Sequence, residues 1–346
     1  MVASVDAPPW ERGPLGFLRR HPVLFLLLLS PGIPEYLSGS SPVKLLLFNP
    51  FVFFVFLAGN LGLYGPGVLL VREATIRWKK GWATTLILGG AYGILEEGLA
   101  LSTLFDPKAG PAGALGTYGH WLGVSWVWVA EVVPFHSVFS ISIPILLLGL
   151  VVPATRGQPL LPGRKCAAAV AILVVDVVCL MAFVYAVTGF WMGFPILVGS
   201  MVAISALILA GRKSGSVWPR KLPGPPRWGL AAAFLIGLFF FPGLVVILDV
   251  VRLFLPALVT LVIVLLYQAG YLFLVVRTLG FEGNQRHEVF FVWGAVGLLF
   301  LDGLVVNFPY ELVLLVDVGL VLLFVNLLRM YPEVTRAEVP PAQSKP

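Results

Sequence analysis

The sequence predicts an all-α protein, a polytopic bundle of about ten membrane-spanning helices, several of them broken by proline or glycine. Three observations predict it. Of 346 residues, 59% are hydrophobic and 12% are charged, whereas soluble domains carry about 25% charged residues. Apolar runs near the ~20 residues that cross a bilayer recur along the whole chain. Lysine and arginine also fall on alternate connections between those runs, the bias that sets orientation in a membrane. The net charge of +6 is explained by that bias, so nucleic-acid binding gains no support.

The runs, in order, are residues 22–38, 48–71, 82–104, 124–152, 166–188, 193–211, 228–248, 254–276, 289–307 and 310–328. The first is short and contains Pro31 and Pro34, and no small-residue cleavage site follows it, so it reads as an anchor and not a cleaved leader. The second holds Asn60 and Gly65-Pro66-Gly67, the fourth Pro134 and the seventh Pro242. Proline removes a backbone donor at membrane depth, so each of these sites is expected to face protein or water. Cys166 and Cys179 lie about 20 Å apart by helical rise, beyond disulfide reach. No internal repeat and no Walker A pattern is present.

With the N-terminus in the cytoplasm, 20 of the 23 basic residues fall on the cytoplasmic side, and only Lys44, Lys108 and Arg252 fall outside. The expected protein is integral and multi-pass, with both termini cytoplasmic. The basic, proline-rich stretch 212–227 reads as a cytoplasmic linker between a six-helix part, 1–211, and a four-helix part, 228–331. A disordered tail is expected at 332–346.

The topology places Glu35, Glu96, Glu97, Glu131, Asp249, Asp302, Glu311 and Asp317 in or near the outer half of the membrane, with Asp176 near a span centre. Glu35, Asp249 and Glu311 read as interfacial and solvated. The Gly/Pro-rich outer loop 105–123 carries His120, which reads as an exposed interfacial residue in preference to a lid residue.

Glu96 and Glu97 stand side by side in a span without a basic residue. An ionised carboxylate at the bilayer centre costs about 2.5–3.5 kcal/mol on insertion scales, so the pair needs partners, water, a proton or a metal. On an α-helix they point about 100° apart and are not expected to act on one face. Gly90 and Gly93 lie seven and four residues before Glu97, a small-residue stripe that lets a second helix approach closely. Lining a wet crevice or tying helices together is the other reading of the pair.

His136 is the histidine that falls inside a span. Trp128, Val132, His136 and Ser140 share one α-helical stripe, and consecutive spans joined by a short loop pack as antiparallel neighbours. Glu97 and His136 are therefore expected to face each other. A carboxylate and an imidazole converging on one water can take its proton, or ligate a divalent metal that acidifies it. The alternative for His136 is a hydrogen bond to a backbone carbonyl opened by Pro134.

A Glu-Glu pair followed by a histidine in the next span resembles the CAAX-protease and bacteriocin-processing family of intramembrane proteases, which includes the type II CAAX prenyl endopeptidases. That family's motifs are EExxxR, FxxxH and a later HxxxN. By this resemblance Glu96, Glu97 and His136 are implied as catalytic, and as the metal ligands if a metal takes part. Leu101 stands at the arginine position and Val132 at the phenylalanine position. Glu131, His120, Asp302 and Asn307 are the secondary polar candidates.

The function expected is an intramembrane hydrolase, protease-like, acting on a membrane-embedded peptide or lipid. A divalent metal is the one cofactor with a candidate site, and the bilayer is the one partner implied. An ion- or proton-coupled transporter and a non-catalytic scaffold are the competing classes.

Overall fold

The computed structural model describes residues 14–41, 45–215, 228–280 and 285–307. Residues 216–227 of the linker expected at 212–227, the tenth span at 310–328 with Glu311 and Asp317, and the tail at 332–346 lie outside the described residues.

The described chain is helical apart from one short hairpin. A short helix α1 (Pro14–Arg20) leads into α2 (Pro22–Pro31), which continues as a π-helical turn, Gly32–Leu37. One turn, α3 (Leu45–Phe48), precedes α4 (Pro50–Arg77); α5 (Trp82–Gly93) passes into a second π-turn, Ile94–Ala100. Strands β1 (His120–Trp121) and β2 (Val124–Ser125) pair antiparallel. Then α6 (Trp126–Phe135), a third π-turn (His136–Ser142) and α7 (Ile143–Val151) form one continuous span. Helices α8 (Gly163–Thr188) and α9 (Gly193–Lys213) follow. After residue 227 come α10 (Leu230–Leu238), α11 (Phe240–Val245) with its π-turn Val246–Val250, α12 (Ala257–Leu279) and α13 (Gln285–Asn307).

Among the described residues, six helices are long and apolar enough to cross a membrane. They are Pro50–Arg77, Trp126–Val151, Gly163–Thr188, Gly193–Lys213, Leu230–Leu253 and Ala257–Leu279, and Pro22–Leu37 is a shorter apolar helix. Large apolar side chains on α8, α9 and α12, such as Val174, Val202 and Leu266, are exposed. Such faces are stable only against hydrocarbon.

A backbone group freed by proline finds a partner. Pro134 leaves the Ala130 carbonyl without its helical donor, and Gln268 Nε2 of α12 donates to it at 2.5 Å. Beside Pro242, where the carbonyl freed is that of Leu238, the Tyr267 hydroxyl instead lies within hydrogen-bond distance of the neighbouring Phe239 and Phe240 carbonyls, at 2.7 and 3.0 Å. Pro66 does not break its helix, because α4 runs through it. The flanking glycines give up side-chain space instead: a Cβ on Gly67 would sit 2.3 Å from the Tyr92 ring, and one on Gly65 would sit 2.3 Å from Leu27.

At the basic end of the bundle Arg72 and Glu73 are almost wholly buried, at 4% and 2% exposure. Arg72 donates to the carbonyls of Thr155 and Gln158, at 2.5 and 3.0 Å. Glu73 accepts from the backbone of Leu160 at 2.6 Å and from Arg77 Nε at 3.0 Å. The connection from α7 to α8 is thereby tied to the end of α4. The buried Arg72 pairs two carbonyls of a loop whose residues are mostly exposed.

Candidate functional site

The site forms where α5 and its π-turn cross the span of α6 and α7. Gly89 and Gly93 set the crossing. A Cβ on Gly89 would lie 2.8 Å from Ser137 Cα, and one on Gly93 would lie 3.1 Å from Val133 Cα and 3.4 Å from His136 Cβ. Gly93 acts as the sequence suggests. Gly89 is the second close approach, whereas a Cβ on Gly90 would meet only Val133 Cγ1 at 3.8 Å. The register places His136 over the glutamates.

His136 Nε2 lies 2.9 Å from Glu97 Oε1, and Nδ1 lies 3.0 Å from Glu96 Oε2 and 2.9 Å from Ser140 Oγ. The expectation that neighbouring glutamates cannot share a face is corrected here. Both segments are π-helical, with i→i+5 hydrogen bonds such as Leu101 N–H to the Glu96 carbonyl, 2.9 Å. The wider turn rotates less per residue than an α-helix, and such turns are frequent at functional sites. The imidazole also has two nitrogens on different edges, one for each carboxylate.

Glu97 is fully engaged. Its Oε1 takes the histidine and its Oε2 takes the Thr103 hydroxyl, which in turn accepts from Trp128 Nε1 at 3.0 Å. Thr103 comes within reach because the chain leaves the π-turn through Ser102 at φ 60°, a left-handed conformation uncommon outside glycine and often held at functional sites.

Glu96 differs. It is 0% exposed, and neither of its oxygens accepts a well-aligned hydrogen bond among the described residues despite the closeness of Nδ1. The Tyr92 hydroxyl, one helical turn earlier, is likewise buried without a well-aligned partner and interacts electrostatically with Glu96. A buried polar group in this condition calls for a proton, a water or a ligand.

A second polar network adjoins the first. Glu35 is half-buried and accepts from Tyr64 Oη at 2.5 Å and Ser41 Oγ at 2.7 Å, while Asn60 donates to Ser41 Oγ at 3.1 Å and Tyr36 Oη at 3.2 Å. The Tyr64 ring stands 6.0 Å from Tyr92 and 6.1 Å from His136. Glu35 is therefore not simply solvated at an interface.

Among the described side chains, the other sequence candidates make no hydrogen bond or ion pair with this cluster. His120 is half-buried in the hairpin, with Nδ1 2.9 Å from Ser125 Oγ, and is not the exposed residue expected. Glu131 Oε2 is buried without a hydrogen-bond partner, and Asp249 is exposed. Asp302 and Asn307 belong to α13, and their side chains lie outside the described residues. His136 does not use the carbonyl opened by Pro134, since Gln268 takes it. Thr103, Tyr64 and Glu35 were not read from the sequence as site residues. Tyr92 was detectable as a polar neighbour four residues before Glu96.

One atom each of Glu96, Glu97 and His136 lies within 4.8 Å of the others, close enough to share an ion. The donor set suits zinc or a similar divalent metal. Both ring nitrogens, however, already face carboxylate or hydroxyl oxygens, so a shared ion would replace the Glu97–His136 hydrogen bond.

Fold and site together define a helical membrane protein with a buried Glu-Glu-His cluster. The chain belongs to a family described as an uncharacterized membrane protein family, whose model matches residues 24–338. No curated protein matches the chain, and no solved structure does.

Proposed function

We propose that Glu96, Glu97 and His136 form a water-activating site for hydrolysis of a membrane-embedded substrate, peptide or lipid. The observation that carries this reading is the wholly buried Glu96 carboxylate, which lacks a well-aligned hydrogen bond yet lies 3.0 Å from His136 Nδ1. Glu97 then orients the ring through Nε2–H, as a carboxylate orients a catalytic imidazole. With that tautomer fixed, Nδ1 accepts from Ser140 in the neutral ring and faces Glu96 when protonated. A water beside Glu96 loses a proton to the carboxylate, and the imidazole receives it for delivery to the leaving group. The Tyr92 hydroxyl is the candidate donor to the developing oxyanion. The resemblance to the CAAX-protease family supports the assignment through the same three residues.

The test is hydrolysis in ¹⁸O-labelled water. Purified protein is returned to vesicles made from total membrane extract, and new ¹⁸O-carboxylates are sought among peptides and lipids by mass spectrometry. Label appearing with the native protein and absent with Glu96→Gln and His136→Ala is the expected result. Equal label in all three overturns the reading.

A further inference from the structure

Behind the π-turn that carries His136 lies a cavity of about 490 Å³, inside the range of about 300–1,000 Å³ typical of ligand pockets. Pro134, Ser137 and Val138 line one wall, and Leu265, Leu272 and Val276 of α12 line the facing one. Along α12 the lining extends from Leu265 to Leu279, about 21 Å at ~1.5 Å per residue, and Trp82, Gly280 and Glu288 stand at that end. Within it the hydroxyls of Ser142 and Tyr271 are buried without hydrogen-bond partners. Ser142 is 9% exposed. At the Gly280 end Arg156 Nη2 lies 3.6 Å from Glu288 Oε2, a cation and an anion side by side.

We propose that this cavity binds one phospholipid with a phosphoethanolamine headgroup. The paired Arg156 and Glu288 are complementary to its phosphate and its ammonium. Tyr271 lies about 12 Å along α12 from Leu279, deeper in the cavity than the charged end, and the unpartnered Ser142 and Tyr271 hydroxyls are the donors offered to the lipid's ester carbonyls. One acyl chain then fills the apolar remainder toward Leu265. An extended peptide fits poorly, because each residue brings a donor and an acceptor that an aliphatic wall leaves unsatisfied. The site is separate from Glu96 and His136 and does not depend on hydrolysis.

The experiment uses the full chain in phosphatidylcholine vesicles with a trace of phosphatidylethanolamine bearing a diazirine on its acyl chain. Irradiation followed by peptide mapping should label the cavity residues Ile143, Leu146 and Phe291 as well as the lipid-facing Val174 and Leu266. Excess unlabelled phosphatidylethanolamine should suppress the first group only, and phosphatidylglycerol should do so at least about ten-fold less well, a difference near 1.4 kcal/mol. Combining Ser142→Ala with Tyr271→Phe should lower cavity labelling about five-fold, as lost hydrogen bonds of ordinary strength predict, with Val174 and Leu266 unchanged as the internal control for folding. Should the double variant fail to insert, Tyr271→Phe alone is read in the same way. Labelling confined to lipid-facing residues, equal competition by phosphatidylglycerol, undiminished labelling of the variant, or recovery of a cross-linked peptide in the cavity would each overturn the proposal.

Discussion

Gly89 and Ser137 are in direct backbone contact: a Cβ on Gly89 would fall 2.8 Å from Ser137 Cα, while Ser137 Oγ donates to the Leu86 carbonyl at 2.8 Å. The glycine permits the approach and the serine fixes its register. That crossing carries Glu96 and Glu97 toward His136, so its geometry and that of the site are linked.

Replacing Gly89 by valine should therefore force the two spans apart. Overpacking a tight contact costs about 1–3 kcal/mol, and thermal unfolding in detergent should show a clear drop in midpoint. Gly90→Ala is the matched control, since its nearest new contact is at 3.8 Å. Equal tolerance of both substitutions would mean that the crossing does not set the register.

Gln268→Leu should destabilise the chain through one unsatisfied group, the Ala130 carbonyl that Pro134 frees. Leaving a buried acceptor unpaired costs about 1–3 kcal/mol. Pro134→Ala in the Gln268→Leu background should recover part of the loss by restoring the helical donor. A double variant no more stable than Gln268→Leu alone would show that the carbonyl has another partner.

Six of the ten expected spans were legible from apolar length among the described residues; the segments expected at 166–188 and 193–211, for example, appear as Gly163–Thr188 and Gly193–Lys213. Glu96, Glu97 and His136 stood out because ionisable groups at membrane depth are costly and few. Their convergence on one ring was only half legible, since α-helical spacing assigns 100° per residue and nothing in the sequence announced two π-turns. Thr103 reaches Glu97 through a left-handed turn at Ser102, which has no periodic signature. The Glu35–Tyr64 bond joins different helices, and a single sequence carries no record of such pairs. Pro66 misled as a breaker because its flanking glycines accommodate Tyr92 and Leu27 without interrupting α4.

The charge bias predicts the same compartment for both termini and the opposite one for the loop that holds His120. Single cysteines at Ala109 and Gly215, in a background lacking Cys166 and Cys179, should react with a membrane-impermeant maleimide from opposite sides of intact cells or vesicles. Ala109 should be the one accessible from outside. Labelling of both from one side would remove the orientation.

The two glutamates differ enough in their surroundings to separate stability from activity. Glu97 is held by His136 and Thr103, so Glu97→Gln breaks a buried charge-assisted pair and should cost about 3–5 kcal/mol. Glu96 faces His136 Nδ1 at 3.0 Å but has no well-aligned hydrogen bond, so Glu96→Gln removes a less well compensated buried charge and should leave the unfolding midpoint unchanged or raise it. Its hydrolytic rate should nonetheless fall by about 10²–10⁴-fold, the usual contribution of a positioned general base. A residue retained at a cost to stability is the pattern expected of a functional group. Ser140→Ala should keep the rate within about ten-fold if Ser140 only fixes the ring tautomer, whereas complete loss would make Ser140 the nucleophile. Activity that survives prolonged dialysis against a chelator is expected from a site whose ring nitrogens face protein oxygens. Loss on dialysis with recovery on adding zinc would instead place an ion between Glu96, Glu97 and His136. Stability falling equally in Glu96→Gln and Glu97→Gln, with no hydrolysis in the native protein, would leave the cluster as a helix tie and end the catalytic reading.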